Sequence, residues 1–196
     1  MRHSVSLAII AALVVPVAAH AQFSDSYNFL KAVREGDVNK VRDLASKPGS
    51  IVVDTKDPAT GETALIIVVK RRNLPWVNFL LDLRAKPDLR DKDGNSPLMA
   101  AAQIGFAEGA ESLLRGKATV DLANNGGVTP LMLAVQRRDT AMVRLLLSAG
   151  ANPDKRDRQT GLSARDYAKN DPRGAAILRL IEAPRTPAKP VAGPGL

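Results

Sequence analysis

Apolar positions recur along the chain in paired clusters. Ala64-Leu65-Ile66-Ile67-Val68-Val69, Leu98-Met99-Ala100-Ala101-Ala102 and Leu131-Met132-Leu133-Ala134-Val135 each follow a Thr or Ser. Each is answered a little farther on by Phe79-Leu80-Leu81, Leu113-Leu114 or Leu145-Leu146-Leu147, with polar residues between. That arrangement predicts two short helices per unit, joined by a turn. Gly61, Gly94, Gly127 and Gly161 step by 33, 33 and 34 residues, and Asp88, Asp121 and Asp154 are spaced 33 apart. A fixed period of this length indicates stacked helix pairs. One pair cannot bury its apolar face alone, so stability has to come from stacking.

The ends of the predicted helices carry their own chemistry. Thr63, Ser96, Thr129 and Ser163 stand where a hydroxyl accepts from free amides of the first turn, and Pro97 and Pro130 occupy the first helical position, where no amide is needed. Leu65, Leu98 and Leu131 are expected to face inward, while Ala101, Ala102 and Ala134 let neighbouring units approach. A left-handed glycine suits the turn between the two helices, as at Gly36 and Gly105. Arg72 and Arg138 stand there instead, at a cost of roughly 1 kcal/mol each, tolerated or kept for their charge. Asp88, Asp121 and Asp154 recur with the fold and are expected to bond loop amides.

Thr129-Pro130-Leu131-Met132-Leu133-Ala134-Val135 resembles the Thr-Pro-Leu-His-x-Ala-Ala signature of the ankyrin repeat, and Ser148-Ala149-Gly150-Ala151-Asn152-Pro153 resembles its closing Gly-Ala-Asp segment. The resemblance covers about 26–183. It implies an all-α ankyrin-repeat solenoid of about five helix pairs with short β-hairpin-like loops. The domain is read as 22–183, with units at about 26–59, 60–92, 93–125, 126–158 and 159–183. The first and last units are degenerate and look like caps. The first lacks an opening hairpin, and its exit loop, 46–60, is about three residues longer than the others. The histidine usual after Thr-Pro-Leu is replaced by Ile66, Met99, Met132 and Asp166, which is expected to weaken hydrogen bonding between repeats.

Ahead of the repeats, Met1-Arg2-His3, an apolar run from Val5 to Val15, and Val17-Ala18-Ala19-His20-Ala21 read as a cleavable signal peptide, 1–21, cut between Ala21 and Gln22. The run is shorter than the roughly 20 residues a membrane span needs and is followed by Pro16. A periplasmic or secreted protein is therefore expected, with no transmembrane segment in the mature chain. At the other end, 184–196 is rich in proline, glycine and basic residues and is expected to be disordered.

The chain has no cysteine, and both of its histidines, His3 and His20, lie in the expected signal segment. The mature chain therefore lacks imidazole bases, thiol nucleophiles, disulfides and the ligands zinc prefers. No Gly-x-Ser-x-Gly, Ser-x-x-Lys or phosphate-binding loop occurs. An enzyme restricted to carboxylates is the least favoured reading, and no metal or cofactor is expected. The net charge of the whole chain is +8. The resemblance implies docking on the concave side, made by hairpin tips and the exposed faces of first helices. There it places Lys56, Arg90, Lys92, Arg156 and Arg158 at the tips, and Arg34, Lys70, Arg71 and Arg137 at helix ends. Glu35, Asp91 and Asp93 interrupt this basic groove, which reads either as a site or as a solvated face. Gln103, Ile104 and Phe106 form an apolar spot within it, read either as a hot spot or as surface covered by the next repeat.

A non-enzymatic module holding an acidic partner protein follows as the expected function, as a scaffold or protective factor for another exported protein. An anionic lipid or glycan is the alternative ligand. Nucleic acid is not expected, and the protein should be a monomer. Replacing Arg71, Arg90 and Arg137 together by glutamate should abolish capture with little loss of stability. Along the second helices, Trp76, Gly109 and Met142 occupy equivalent positions, and Trp76 is expected to fill the space left at Gly109.

Overall fold

The computed structural model describes residues 17–183, with side chains from Asp25 onward. The expected cleavage point falls within the first helix, and the rest of the signal segment, 1–16, and the tail, 184–196, lie outside the described residues. Those described form five helix pairs. They are α1 Val17–Glu35 with α2 Val38–Ser46, α3 Ala64–Lys70 with α4 Leu74–Asp82, α5 Pro97–Ile104 with α6 Ala107–Arg115, α7 Pro130–Gln136 with α8 Thr140–Ser148, and α9 Ala164–Asn170 with α10 Ala175–Glu182. Among the described residues the hairpins contain no strand longer than the isolated bridges Lys56 to Thr63 and Arg156 to Ser163.

The pairs stack in two layers. The first helices α1, α3, α5, α7 and α9 pack in sequence, and so do the second helices α4, α6, α8 and α10. In the first unit the long exit loop folds into a 3-10 turn, Val52–Asp54, that packs on α1 and α2 and buries Val52. Every residue of α3 from Ala64 to Val69 is buried. Its run of Ile and Val has poor intrinsic helix propensity, so neighbours on either side hold this helix, not its own backbone preference. In α5 the three consecutive alanines are buried and leave room for α3 and α7 to pack on either side.

The caps form as the sequence requires. Thr63, Ser96, Thr129 and Ser163 accept from the amides of Ile66, Met99, Met132 and Asp166, and Pro97 and Pro130 open their helices. Ile66, Met99 and Met132, which stand where histidine is usual, are fully buried. Links of another kind join the repeats. The carboxylates of Asp54, Asp88 and Asp121 accept from the amides of Lys86, Thr119 and Asn152, each in the next unit, at 2.9, 2.8 and 3.1 Å. The oxygens of Asp154 take the Arg165 guanidinium at 2.7 and 3.2 Å.

Trp76 does not fill the space at Gly109. It is half-buried and meets Phe79 edge-on, with ring centroids 5.4 Å apart. The occupant at Gly109 is Phe106, whose ring lies where a Cβ on that glycine would sit. Asp37, Asn73 and Asp139 cap the second helices of their units through the amide three residues on, whereas Phe106 holds the same position without a polar cap. The ring has replaced the carboxylate, and the glycine three residues later makes room for it.

Candidate partner-binding face

The sequence-predicted cations stand in the hairpins and at the ends of the first helices. Three of them are neutralised there. Arg34 pairs with Asp57, Lys70 reaches Glu62 at 2.6 Å, and Arg156 reaches Asp166 at 3.2 Å and the Gly161 carbonyl at 2.7 Å. The Arg34 guanidinium and the Thr60 amide hold the Asp57 carboxyl below its ordinary value. For Asp166 the Ser163 hydroxyl and amide do the same, with a smaller contribution from Arg156.

Four more cations tie repeats together through neutral acceptors and so keep their charge. Lys56 donates to the Arg90 carbonyl at 2.7 Å, Arg71 to the Arg34 carbonyl at 2.7 Å, Arg90 to the Ala123 carbonyl at 3.1 Å and Arg158 to the Asn125 carbonyl at 3.3 Å. Each acceptor lies in a neighbouring unit. Lys92 and Arg137 are exposed and make no side-chain hydrogen bond or ion pair among the described residues. Gln103 is exposed, and Ile104 is half-buried. Phe106 is not part of an apolar hot spot, since only 4% of it is exposed.

The expectation that Arg71 and Arg90 can be reversed at little cost therefore needs correction. Both anchor carbonyls of adjacent repeats, and glutamate at either place would lose a donor and set an anion against a carbonyl. Lys92 and Arg137 are the positions where charge can be changed without removing a side-chain hydrogen bond or ion pair among the described residues.

The left-handed arginines have structural work that sequence reasoning left open. Arg72, at φ 54°, donates to the carbonyls of Ile104 at 2.8 Å and Gly105 at 3.3 Å, and its guanidinium lies 5.3 Å from the Phe106 ring centroid. It thereby closes the C-terminus of α5 and covers the ring that replaced a cap. Arg138, at φ 56°, grips Asp171 through both carboxylate oxygens, which holds that carboxyl below its ordinary value. A signal for the packing of Phe106 on Gly109 was present in the sequence. An apolar residue at a cap position otherwise held by Asp or Asn, with glycine three residues on, marks the repeat in which a ring packs where the polar cap would stand.

At the last hairpin, Asp157 is 5% exposed and accepts from the amides of Gln159 and Thr160 and from the hydroxyls of Thr160 and Tyr167. Those donors, the Thr160 hydroxyl first, push its carboxyl far below the usual range. Asp57, Asp91 and Asn124 make the equivalent amide bonds in the preceding hairpins. These side chains shape the turns of their hairpins by accepting from loop amides. Among the described residues no group of three His, Cys, Asp or Glu side chains is gathered to hold a metal, and no helix is long and apolar enough to cross a membrane.

Helix pairs at a regular period, hairpins joined edge to edge and a face lined by loop and first-helix side chains define a stacked helical-repeat binding protein. The sequence matches the family described as Ankyrin repeats (3 copies) over residues 29–122 and 75–157. It is 37% identical over 148 residues to an ankyrin repeat-containing protein of Treponema pallidum (strain Nichols), covering 74% of this chain and 48% of that one. It is also 36% identical over 102 residues to the human transient receptor potential cation channel subfamily A member 1, covering 48% of this chain and 9% of the channel. With human neurogenic locus notch homolog protein 4 the identity is 35% over 94 residues, 47% of this chain and 5% of that protein. The chain thus spans about half the length of the bacterial relative and far less of the other two. It belongs to the ankyrin-repeat family. Members are typically non-catalytic, and their repeats are generally modules for binding other proteins.

Proposed function

We propose that this protein is an exported, monomeric binder. It holds an acidic segment of a partner protein on the face made by its hairpins and first helices, and serves as a scaffold or protective factor for another exported protein. The observation that carries this reading is the state of the cations on that face. Lys56, Arg71, Arg90 and Arg158 bond carbonyls and remain uncompensated, and Lys92 and Arg137 make no internal bond. Such a field steers an acidic partner onto the central units and improves its rate of encounter. Export rests on the basic start, short apolar run and Ala-x-Ala site of the first residues.

The test is capture of proteins from an envelope extract by immobilised protein, with mass spectrometry of what is bound. Replacing Lys92 and Arg137 together by glutamate should remove the acidic proteins captured and leave the melting temperature within about 2 °C, since neither side chain makes a hydrogen bond or ion pair among the described residues. Unchanged capture by that variant would sink the reading. Binding that disappears steeply between low and moderate salt, with no apolar remainder, would point to an anionic lipid or glycan instead.

A further inference from the structure

Three of the four hairpins are closed by the hairpin that follows. In each case the amide just after the turn Asp or Asn donates to a carbonyl of the hairpin before it. Lys92 donates to Thr60 at 3.1 Å, Asn125 to Asp93 at 3.2 Å and Arg158 to Gly126 at 2.8 Å. The approach is close enough to require glycine next to each acceptor. A Cβ on Gly61, Gly94 or Gly127 would lie 2.7, 2.7 or 2.9 Å from those same amide nitrogens.

The fourth hairpin, 157–161, repeats this geometry with nothing against it. Gly161 keeps a left-handed φ of 69°, yet among the described residues no atom lies within 4 Å of the place its Cβ would take. The Thr160 carbonyl, which matches those of Thr60, Asp93 and Gly126, accepts no hydrogen bond among them. Both residues are exposed. An unpaired acceptor beside an open glycine is a template for one more turn.

Two occupants are disfavoured by the chain itself. A second copy has no free donor to offer. The amides of Lys92, Asn125 and Arg158 are already engaged, and the matching position of the first hairpin is Pro58, which has no N–H. The sequence of the tail does not suit a continuation of the repeat. Gly150 at φ 91° and the fully buried Ala151 correspond, one unit on, to Pro184 and Arg185. Proline excludes a positive φ, and arginine is far larger than the alanine it would replace. A turn from another protein meets neither obstacle, because it can bring a free amide. Arg158 on the same hairpin is exposed and bonds only the neutral Asn125 carbonyl, so it keeps a positive charge at the edge that selects for acidic residues in the incoming turn.

We propose that the fourth hairpin is a docking edge that accepts a β-turn of an acidic partner protein as a further hairpin of the stack, with the incoming amide donating to the Thr160 carbonyl. This is edge addition applied to a ladder of turns, in which backbone bonds give register and flanking charge gives selectivity. The edge is separate from the face around Lys92 and Arg137.

The probe is a cyclic peptide presenting the turn Asp-Glu-Asp-Gly, titrated into the isotopically labelled full chain and followed by amide resonances. Saturable shifts are expected at Thr160, Gly161 and Leu162. A control peptide with Asp-Pro-Asp-Gly lacks the donor amide and should bind about fivefold more weakly, the scale of one lost hydrogen bond. Gly161→Asn, a residue that tolerates the left-handed region, should cause a similar loss by placing a side chain in the docking space. Lys92→Glu with Arg137→Glu should leave the titration unchanged, which separates this edge from the face proposed above. Equal binding of the proline peptide would overturn the proposal, even if Gly161→Asn proved unstable. So would shifts confined to the Lys92 and Arg137 face. The same holds if the 160–162 resonances move when residues 184–196 are removed, or when the protein alone is concentrated, because the tail or a second copy would then occupy the edge.

Discussion

At the scale of single residues, the molecule places cations where glycine is the easier choice. Every non-glycine residue at positive φ among those described is Arg or Lys: Arg72, Arg84, Lys117 and Arg138. Arg72 offsets the strain with two carbonyl bonds and a ring contact. Arg84 and Lys117 follow the C-termini of α4 and α6 and make no side-chain hydrogen bond or ion pair among the described residues. Attraction to the helix C-terminus returns only a few tenths of a kcal/mol at an exposed site. Opposite outcomes follow for one kind of substitution. Lys117→Gly should raise stability in urea by up to about 1 kcal/mol, while Arg72→Gly should lower it despite relieving the same strain. A stabilised Arg72→Gly would show that its contacts do little.

The Phe106 and Gly109 pair makes a sharper residue-scale prediction. Alanine in a helix interior is favoured over glycine by about 1 kcal/mol, so Gly109→Ala should stabilise α6 if space allowed. Space does not allow it, because the Phe106 ring occupies the site and is itself covered by Arg72. Overpacking of this kind costs about 1–3 kcal/mol, and the substitution should be neutral or destabilising in the native background. With Phe106→Asp in place, a carboxylate can cap the amide of residue 109 as Asp139 caps Met142, and the alanine should then stabilise by about 1 kcal/mol. Denaturant unfolding of the four members of this cycle measures the coupling directly. Simple additivity would mean that the ring and the glycine do not depend on each other.

At the scale of elements, the last hairpin is organised by one carboxylate. Asp157 accepts two amides and two hydroxyls, and Asn124 shows that the turn itself tolerates an amide side chain in that role. Asp157→Asn keeps an acceptor for the amides but cannot accept both hydroxyls through its NH2 group, a loss of about 1–3 kcal/mol at neutral pH. The pH dependence has a definite sign. The folded carboxyl lies below its ordinary value near 3.8. Its contribution is therefore complete above that value and is lost as pH falls from there toward the folded value. The gap in stability between native protein and variant should be constant above about pH 5 and should narrow below about pH 4. A gap that widened in acid would contradict the assignment.

Elements were also what the sequence made most legible. The Thr and Ser caps, the prolines after them and the left-handed glycines are local devices, and local devices can be read from spacing alone. Side chains that cross between repeats were much less visible. Nothing in the vicinity of Arg71, Arg72 or Arg90 says that its partner is a carbonyl some thirty residues away, so a row of basic residues read as an open groove. Where a carbonyl accepts, no complementary acidic residue exists to be noticed. The same blindness set Trp76 over Gly109, because equivalent positions in adjacent units suggested a stacking partner when the filler was the ring three residues earlier.

For the whole molecule, stability is set by neighbour-to-neighbour seams, and the seams are unequal. Each of α4, α6 and α8 belongs to the continuous layer of second helices, whereas α2 packs on α1 and on the turn Val52–Asp54. An exposed side-chain contact from it to the next second helix is that of Arg42, whose guanidinium sits 5.9 Å from the Phe79 ring centroid. An exposed contact of this kind contributes about 0.5–1 kcal/mol, less than the burial of a single leucine in an interior seam. The array should therefore open from α2. Hydrogen exchange should show the amides of α2 exchanging before those of α6 and α8, at an opening free energy below that of global unfolding. Arg42→Ala should speed exchange in α2 several-fold and leave α6 and α8 unchanged, because a one-dimensional stack transmits a local loss only to its neighbour. If α2 exchanged only with the rest of the chain, the first unit would be as firmly joined as the interior ones, and the inequality of the seams would be wrong.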